Sequence, residues 1–180
     1  MCNMDDHHGP EHLHAPWRME YVTTTGEKRE GCVFCDIPRE KTDEENLLIY
    51  RGDHTFVVMN AFPYNNGHLM VIPYRHTAEL TDLPCATLTE MMRLASLSMR
   101  ALRRVMSPDG FNLGMNLGRA AGAGIADHLH LHVVPRWNGD TNFMPVVGNI
   151  RVLPEALEKT WQKVHGAFQQ VLVEEGTENL

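Results

Sequence analysis

The sequence predicts an α+β fold: an antiparallel sheet of about five strands, one long helix against it, and a second helix at the C-terminus. Three observations lead there. Short runs of β-forming residues recur between loops brief enough to join antiparallel neighbours. One long stretch, Pro84 to Met106, carries apolar residues at helical spacing. The chain has 180 residues and is 43% apolar, which suits one good core rather than several.

Taken in order, residues 1–16, "MCNMDDHHGPEHLHAP", show no apolar period and hold His7, His8, His12 and His14. They read as a flexible arm, with the folded domain over 17–150 and a helical extension over 151–180 packed on the same domain. Cys32 and Cys35 form a C-x2-C pair, and "REKTDEEN" after them is a polar loop. "LLIYRGDHTFVVMN" places two β-rich runs around Arg-Gly-Asp-His and predicts a hairpin. "AFPYNNGH" is a loop of turn formers, and "HLMVIP" is a third strand bounded by Pro73. In the long helix Leu88, Met91, Met92, Ala95, Leu97, Met99, Leu102 and Val105 make the apolar stripe, which Pro108-Asp109-Gly110 ends. "FNLGMNLG" alternates as a strand, "RAAGAGIAD" is a glycine-rich loop, and "HLHLHVV" alternates again. "PEALEKTWQKVHGAFQQVLVEE" closes the chain as a helix with Pro154 near its start. No internal repeat is present.

Composition narrows the function. A formal charge of -7 with scattered Lys and Arg gives no field to hold a nucleic-acid backbone. The longest apolar runs are strand-sized, short of the roughly 20 residues that cross a membrane. Acids and histidines at the start of the chain are unlike a signal peptide, so a cytoplasmic protein is expected. Four cysteines without an export signal do not read as a disulfide framework.

"DHLHLHVVPR", residues 127–136, carries the chemistry. Along a strand, alternate side chains share a face, so His128, His130 and His132 line one side and Leu129, Leu131 and Val133 the other. The leucine face belongs to the core. Three imidazoles cannot hold one metal ion from a straight strand, because the outer two stand about 13 Å apart and each reaches only about 5–6 Å. That argues against a zinc hydrolase working through all three. An extended ligand such as a chain of phosphates fits the row better, since a neutral imidazole can attack phosphorus while its neighbour holds a proton.

"HLHLHVV" is similar to the His-φ-His-φ-His-φ-φ signature of the histidine triad (HIT) superfamily, φ being apolar. "CVFC", "NAFPYNNGHLMVIPYRH" and "NLG" fall in the order that family shows, over roughly residues 30–137. The flanks "APWRMEY" and "GRAAGAGIADHLHLHVVPRWNGDTNF" resemble a bacterial subgroup that includes diadenosine tetraphosphate phosphorylases. The resemblance implies a nucleotidyl hydrolase or transferase that cleaves dinucleoside polyphosphates at the α-phosphate in two steps. His130 would be the nucleophile and carry the nucleotide as a phosphoramidate. His132 would contact the phosphate and leaving group, Asn116 would lie beside the α-phosphate, and His68 behind the nucleophile, orienting it. Asn60 would meet the ribose, and Gly118, Gly124 and Ile125 belong to a loop whose amides can meet phosphate oxygens. Trp137 would approach an adenine, the dimer neighbour, or simply its packing partners.

The same resemblance implies a structural zinc ion on Cys32, Cys35, His76 and His128, with His54 as the substitute for His76, and no organic cofactor. It also implies a homodimer joined through the long helix and a neighbouring strand. The methionines of that helix would serve the interface or the core. One departure matters. Many family hydrolases carry Gln where this chain has Gly124. The space so opened is expected to admit inorganic phosphate as acceptor, with Arg119, Arg136 or Asp127 bearing on it. His132 argues the other way, because related uridylyltransferases carry Gln there. An adenosine 5'-phosphoramidate hydrolase is the alternative enzyme. A nucleotide-binding protein without turnover is the alternative of another class.

Overall fold

Five strands form one antiparallel sheet: β1 (Leu48–Arg51), β2 (Thr55–Met59), β3 (Leu69–Pro73), β4 (Gly110–Gly114) and β5 (Leu131–Arg136), in the spatial order β1-β2-β3-β5-β4. Among the described residues three α-helices accompany them: α1 (Val33–Asp36), α2 (Cys85–Met106) and α3 (Leu157–Glu178). This computed structural model describes residues 31–140 and 155–178, which fall in one compact unit. The arm expected at 1–16, the domain boundaries at 16/17 and 150/151, and Pro154 lie outside the described residues.

The expected hairpin forms, and α2 holds its turn. Glu90 accepts from the amides of His54 (2.9 Å) and Thr55 (3.3 Å) and from the Thr55 hydroxyl (3.0 Å). Gly52 is required there, since a Cβ would stand 2.0 Å from the Glu90 carboxylate.

Register sorts the side chains into two layers. Leu69 pairs with Val133 and Val71 with Leu131, and all four join Val57 and Met59 in the larger core. That core is closed by Met91, Leu94, Leu97 and Leu102 of α2 and by Trp161, Val164, Phe168 and Val171 of α3. Full burial of a side chain such as Phe168 contributes about 2–3 kcal/mol by transfer from water. On the other face Phe56, Val58, Met70 and Ile72 gather around Phe34 of α1. His132 pairs with Met70, so it lies on this second face, away from the two long helices.

Two strands are shorter than the alternation implies. β5 begins at Leu131, so His128 and His130 precede it. Their segment is held by Leu129 donating its amide to the Thr77 carbonyl at 2.8 Å. The alternation survives outside the ladder, because Leu129 is in the larger core with Leu131 and Val133. β4 ends at Gly114, its last partner being His132, and Gly118 (φ +77°) then turns the chain. α2 starts at Cys85 and ends on Ser107 in the left-handed region, φ +48°. Of its methionines, Met91 is in the core, Met99 and Met106 pack against it, and Met92 is exposed.

Candidate active site and metal-ligand cluster

The Cys pair is brought to one side by a single helical turn. Cys32 precedes α1, and its carbonyl accepts from the amides of Cys35 (2.9 Å) and Asp36 (3.1 Å). The bend after β3 supplies His76, and the segment before β5 supplies His128. Nδ1 of His128 lies 3.2 Å from Cys32 Sγ, 3.6 Å from Cys35 Sγ and 3.3 Å from Nδ1 of His76, which is itself 3.4 Å from Cys35 Sγ. All four ligand atoms lie within 4.8 Å of one another. A tetrahedral ion with zinc-like bond lengths separates two imidazole nitrogens by about 3.3 Å and a nitrogen from a sulfur by about 3.5 Å. The cluster therefore fits such an ion. His54 is not part of it.

The surroundings of His128 agree. Its Nε2–H donates to the Pro73 carbonyl at 2.9 Å, which leaves the Nδ1 lone pair aimed at the cluster. Burial, with smaller contributions from His76 and His130, lowers its pKa and keeps the ring neutral, as a ligand must be. Burial and the neighbouring Cys32 push the Cys35 thiol up, and a bound dication opposes that effect.

The other two histidines belong to a second constellation. Nδ1–H of His130 donates to the His128 carbonyl at 2.9 Å, so its Nε2 carries the lone pair. Burial lowers its pKa and favours the neutral, nucleophilic form. Phe34 lies against both rings, 5.2 Å from that of His130 and 5.6 Å from that of His128. His68 is fully buried. It bonds His132, Nε2 to Nδ1 at 2.9 Å, and the orienting part expected of it at His130 is taken by the His128 carbonyl.

Directions along that chain follow from its far end. His68 Nδ1 meets two donors, the Tyr64 amide at 3.1 Å and the Asn60 side-chain amide at 3.3 Å, so it accepts. The His68 proton is therefore on Nε2 and is donated to His132 Nδ1. His132 then bears its own proton on Nε2. A lone pair on His130 and an N–H on His132 stand on rings 4.8 Å apart, a spacing suited to attack on phosphorus and hydrogen bonding to the group that leaves.

The remaining expected residues are placed unevenly. Asn60 is tied to His68 and to the Phe62 amide (2.9 Å) rather than extended toward a sugar. Asn116, half-buried, leaves the sheet just beyond Gly114, the partner of His132. In the loop after Gly118, the amides of Ala121, Gly122 and Ala123 bond inward to Gly118 and Arg119 carbonyls. Among the described residues the amides of Gly124 and Ile125 make no such bond, and Ile125 packs on the Phe34 cluster. Of the three parts left open for Trp137, the structure shows the packing one. Its indole N–H donates to the Met106 carbonyl at 3.3 Å, and the ring finishes α2. Of the groups considered for an acceptor, Arg136 is bound to Asp140 and Asn112, Asp127 is an exposed anion, and Arg119 is exposed. Sequence reading missed Phe34, Tyr64, Asn65 and Asp140. All four lay inside quoted stretches, but their contacts join positions far apart in the chain and leave no local pattern.

Comparison with known proteins agrees with this geometry. The HIT domain family model matches residues 41–139. An AP-4-A phosphorylase of Mycobacterium tuberculosis is 42% identical over 157 residues, covering 83% of this chain and 80% of that protein. An adenylylsulfatase of Arabidopsis thaliana is 33% identical over 112 residues, 62% of this chain and 55% of that protein. Among solved structures, a Zn-bound histidine triad family protein from Mycobacterium smegmatis superposes with a TM-score of 0.66 at 33% identity, covering 81% of this chain and 98% of that one. The three-histidine segment, its buried partners and these likenesses make the chain a member of the HIT domain family.

Proposed function

We propose that the protein is an enzyme that cleaves dinucleoside polyphosphates of the diadenosine tetraphosphate kind, passing the nucleotide through His130 to inorganic phosphate. The lone pair that the His128 carbonyl leaves on His130 Nε2 carries this reading. In the first step that lone pair forms a bond to the α-phosphorus, the bond to the leaving oxygen breaks, and His132 Nε2–H donates a hydrogen bond to that oxygen, which departs as a nucleotide phosphate anion. The His128 carbonyl, 2.9 Å from His130 Nδ1, stabilises the positive charge that grows on the ring. In the second step an ionised oxygen of inorganic phosphate attacks phosphorus, the phosphorus–nitrogen bond breaks, and His130 leaves as the neutral imidazole it began as.

Phosphate as acceptor is favoured by the 42% identical AP-4-A phosphorylase and by Gly124, which puts no side chain where many family hydrolases have Gln. Arg119, with no ion pair among the described residues, is the cation to meet it. Asn116 and the amides of Gly124 and Ile125 are assigned to the phosphate oxygens. Zinc is the ion assigned to Cys32, Cys35, His76 and His128, in a structural role that ties α1 to the histidine segment. A cytoplasmic homodimer belongs to the same reading, supported by the edge position of β4 and the exposure of Leu113, Leu117 and Met92. No helix among the described residues is long and apolar enough to cross a membrane.

The test is a product analysis with diadenosine tetraphosphate, with and without inorganic phosphate. ADP plus ATP formed only with phosphate is the expected result. AMP plus ATP in plain buffer makes the enzyme a hydrolase. Turnover of adenosine 5'-phosphoramidate alone assigns it to the other branch of the family.

A further inference from the structure

The proton on His132 depends on a loop, and the loop depends on a latch outside the histidine cluster. Asn60 to His68 closes on itself through the Asn60 amide and His68 carbonyl (2.9 Å) and the His68 amide and Asn65 carbonyl (3.1 Å). Its tip is pinned to the end of β5. The Asn65 side-chain amide donates to Asp140 Oδ2 at 2.7 Å and to the Pro135 carbonyl at 3.1 Å. Asp140 is in turn gripped by Arg136, Nε to Oδ2 and a terminal nitrogen to Oδ1, both at 2.6 Å, and by the Trp137 amide at 3.1 Å. Every group facing this carboxylate is a donor.

We propose that Asn65 and Asp140 are positioning residues for stabilising the leaving group: by pinning the 60–68 loop they hold the Tyr64 amide on His68 Nδ1 and so keep the hydrogen-bond donor of His132 on Nε2. The inference rests on the function proposed above for what that proton does. It does not rest on that function for where the proton is. With the latch broken, the Tyr64 amide is no longer fixed at 3.1 Å and His68 can carry its hydrogen on Nδ1. Its Nε2 then faces His132 as an acceptor, the His132 hydrogen moves to Nδ1, and Nε2 has a lone pair where the leaving oxygen needs a hydrogen-bond donor. No proton is gained or lost in this exchange. Only the tautomer changes.

Asp140→Asn breaks the latch with little change of shape, because it turns an amide N–H₂ toward neighbours that are all donors. Asn65→Ala breaks it from the other side and leaves the Arg136–Asp140 pair intact. The full chain is assayed on aryl esters of AMP whose leaving groups run from p-nitrophenol to the poorer phenol. Wild type should depend weakly on the leaving group. Both variants should lose at least about tenfold more kcat/KM on the phenyl ester than on the p-nitrophenyl ester, part of the ~10²–10³ that one placed donor to a developing oxyanion is worth. Trp161→Phe removes a bond to the Leu48 carbonyl on the far layer and should lower all esters alike. Parallel losses in the latch variants would overturn the proposal. Long-range ¹H–¹⁵N spectra of the histidines give a second readout without substrate. His132 should be protonated on Nε2 in wild type and shift toward Nδ1 in either variant; an unchanged tautomer overturns the proposal. If wild type cleaves no ester at all, the proposed function fails, and the spectra still decide the latch.

Discussion

His128 and His132 are the same residue type, on the same face of one short segment, and the fold gives them opposite tasks. His128 donates Nε2–H to the Pro73 carbonyl and turns a bare Nδ1 toward two thiols and an imidazole. His132 receives a hydrogen at Nδ1 from His68 and turns a protonated Nε2 away from it. Between them His130 is set by a carbonyl to present a lone pair. Which nitrogen an imidazole offers is thus decided by the group holding the other one, and neither face nor spacing reveals it.

The comparison breaks most severely at its centre. His130→Ala should abolish turnover, by at least about 10³-fold, while nucleotide affinity stays within about tenfold. Single-turnover kinetics and equilibrium binding on the same protein check this. Equal loss of both would make His130 a binding group. At the His128 end, Cys35→Ser or a chelator should remove the metal and cost about 2–4 kcal/mol of stability, read as a lower Tm together with metal content. The histidine tautomers at the His132 end should survive that change if the two ends are independent.

Asp140 sharpens the comparison through pH. The Arg136 guanidinium, with help from the Trp137 amide and Asn65, holds its carboxyl well below the usual carboxylate range. A depressed value stabilises the fold above the ordinary carboxyl pKa and loses that contribution as pH falls toward the folded value. Asp140→Asn should therefore cost about 1–2 kcal/mol near pH 7, with the gap to wild type closing only below about pH 4 in denaturant titrations. The smallest effect is expected at Arg119. Its change to Ala should raise the phosphate concentration needed for half-maximal rate by about threefold to tenfold, the scale of one exposed charge-assisted contact.

The strand pattern, the long helix and the division of Leu129, Leu131 and Val133 from the histidines were legible because alternation and helical spacing are local properties. The Cys32, Cys35, His76, His128 set was legible through family resemblance, and the structure does bring those four together. The start of β5 was not. Leu129 bonds to Thr77, a partner that only the bend after β3 can supply. The partner of His68 was hidden for a similar reason. Loop 60–68 turns that ring toward His132, and the turn is fixed by contacts with Pro135 and Asp140 far along the chain. For Trp137 the sequence left adenine, dimer neighbour and packing open, because the carbonyl at the end of α2 that its indole N–H meets lies far back in the chain.

The central claim is that His130 Nε2 takes up the nucleotide. Enzyme mixed with diadenosine tetraphosphate in the absence of phosphate, quenched within one turnover and digested under conditions that preserve phosphoramidates, can be mapped by mass spectrometry. The expected result is one added AMP on His130 that disappears when phosphate is supplied before the quench. AMP on another residue, or undiminished turnover with no labelled histidine, would contradict it.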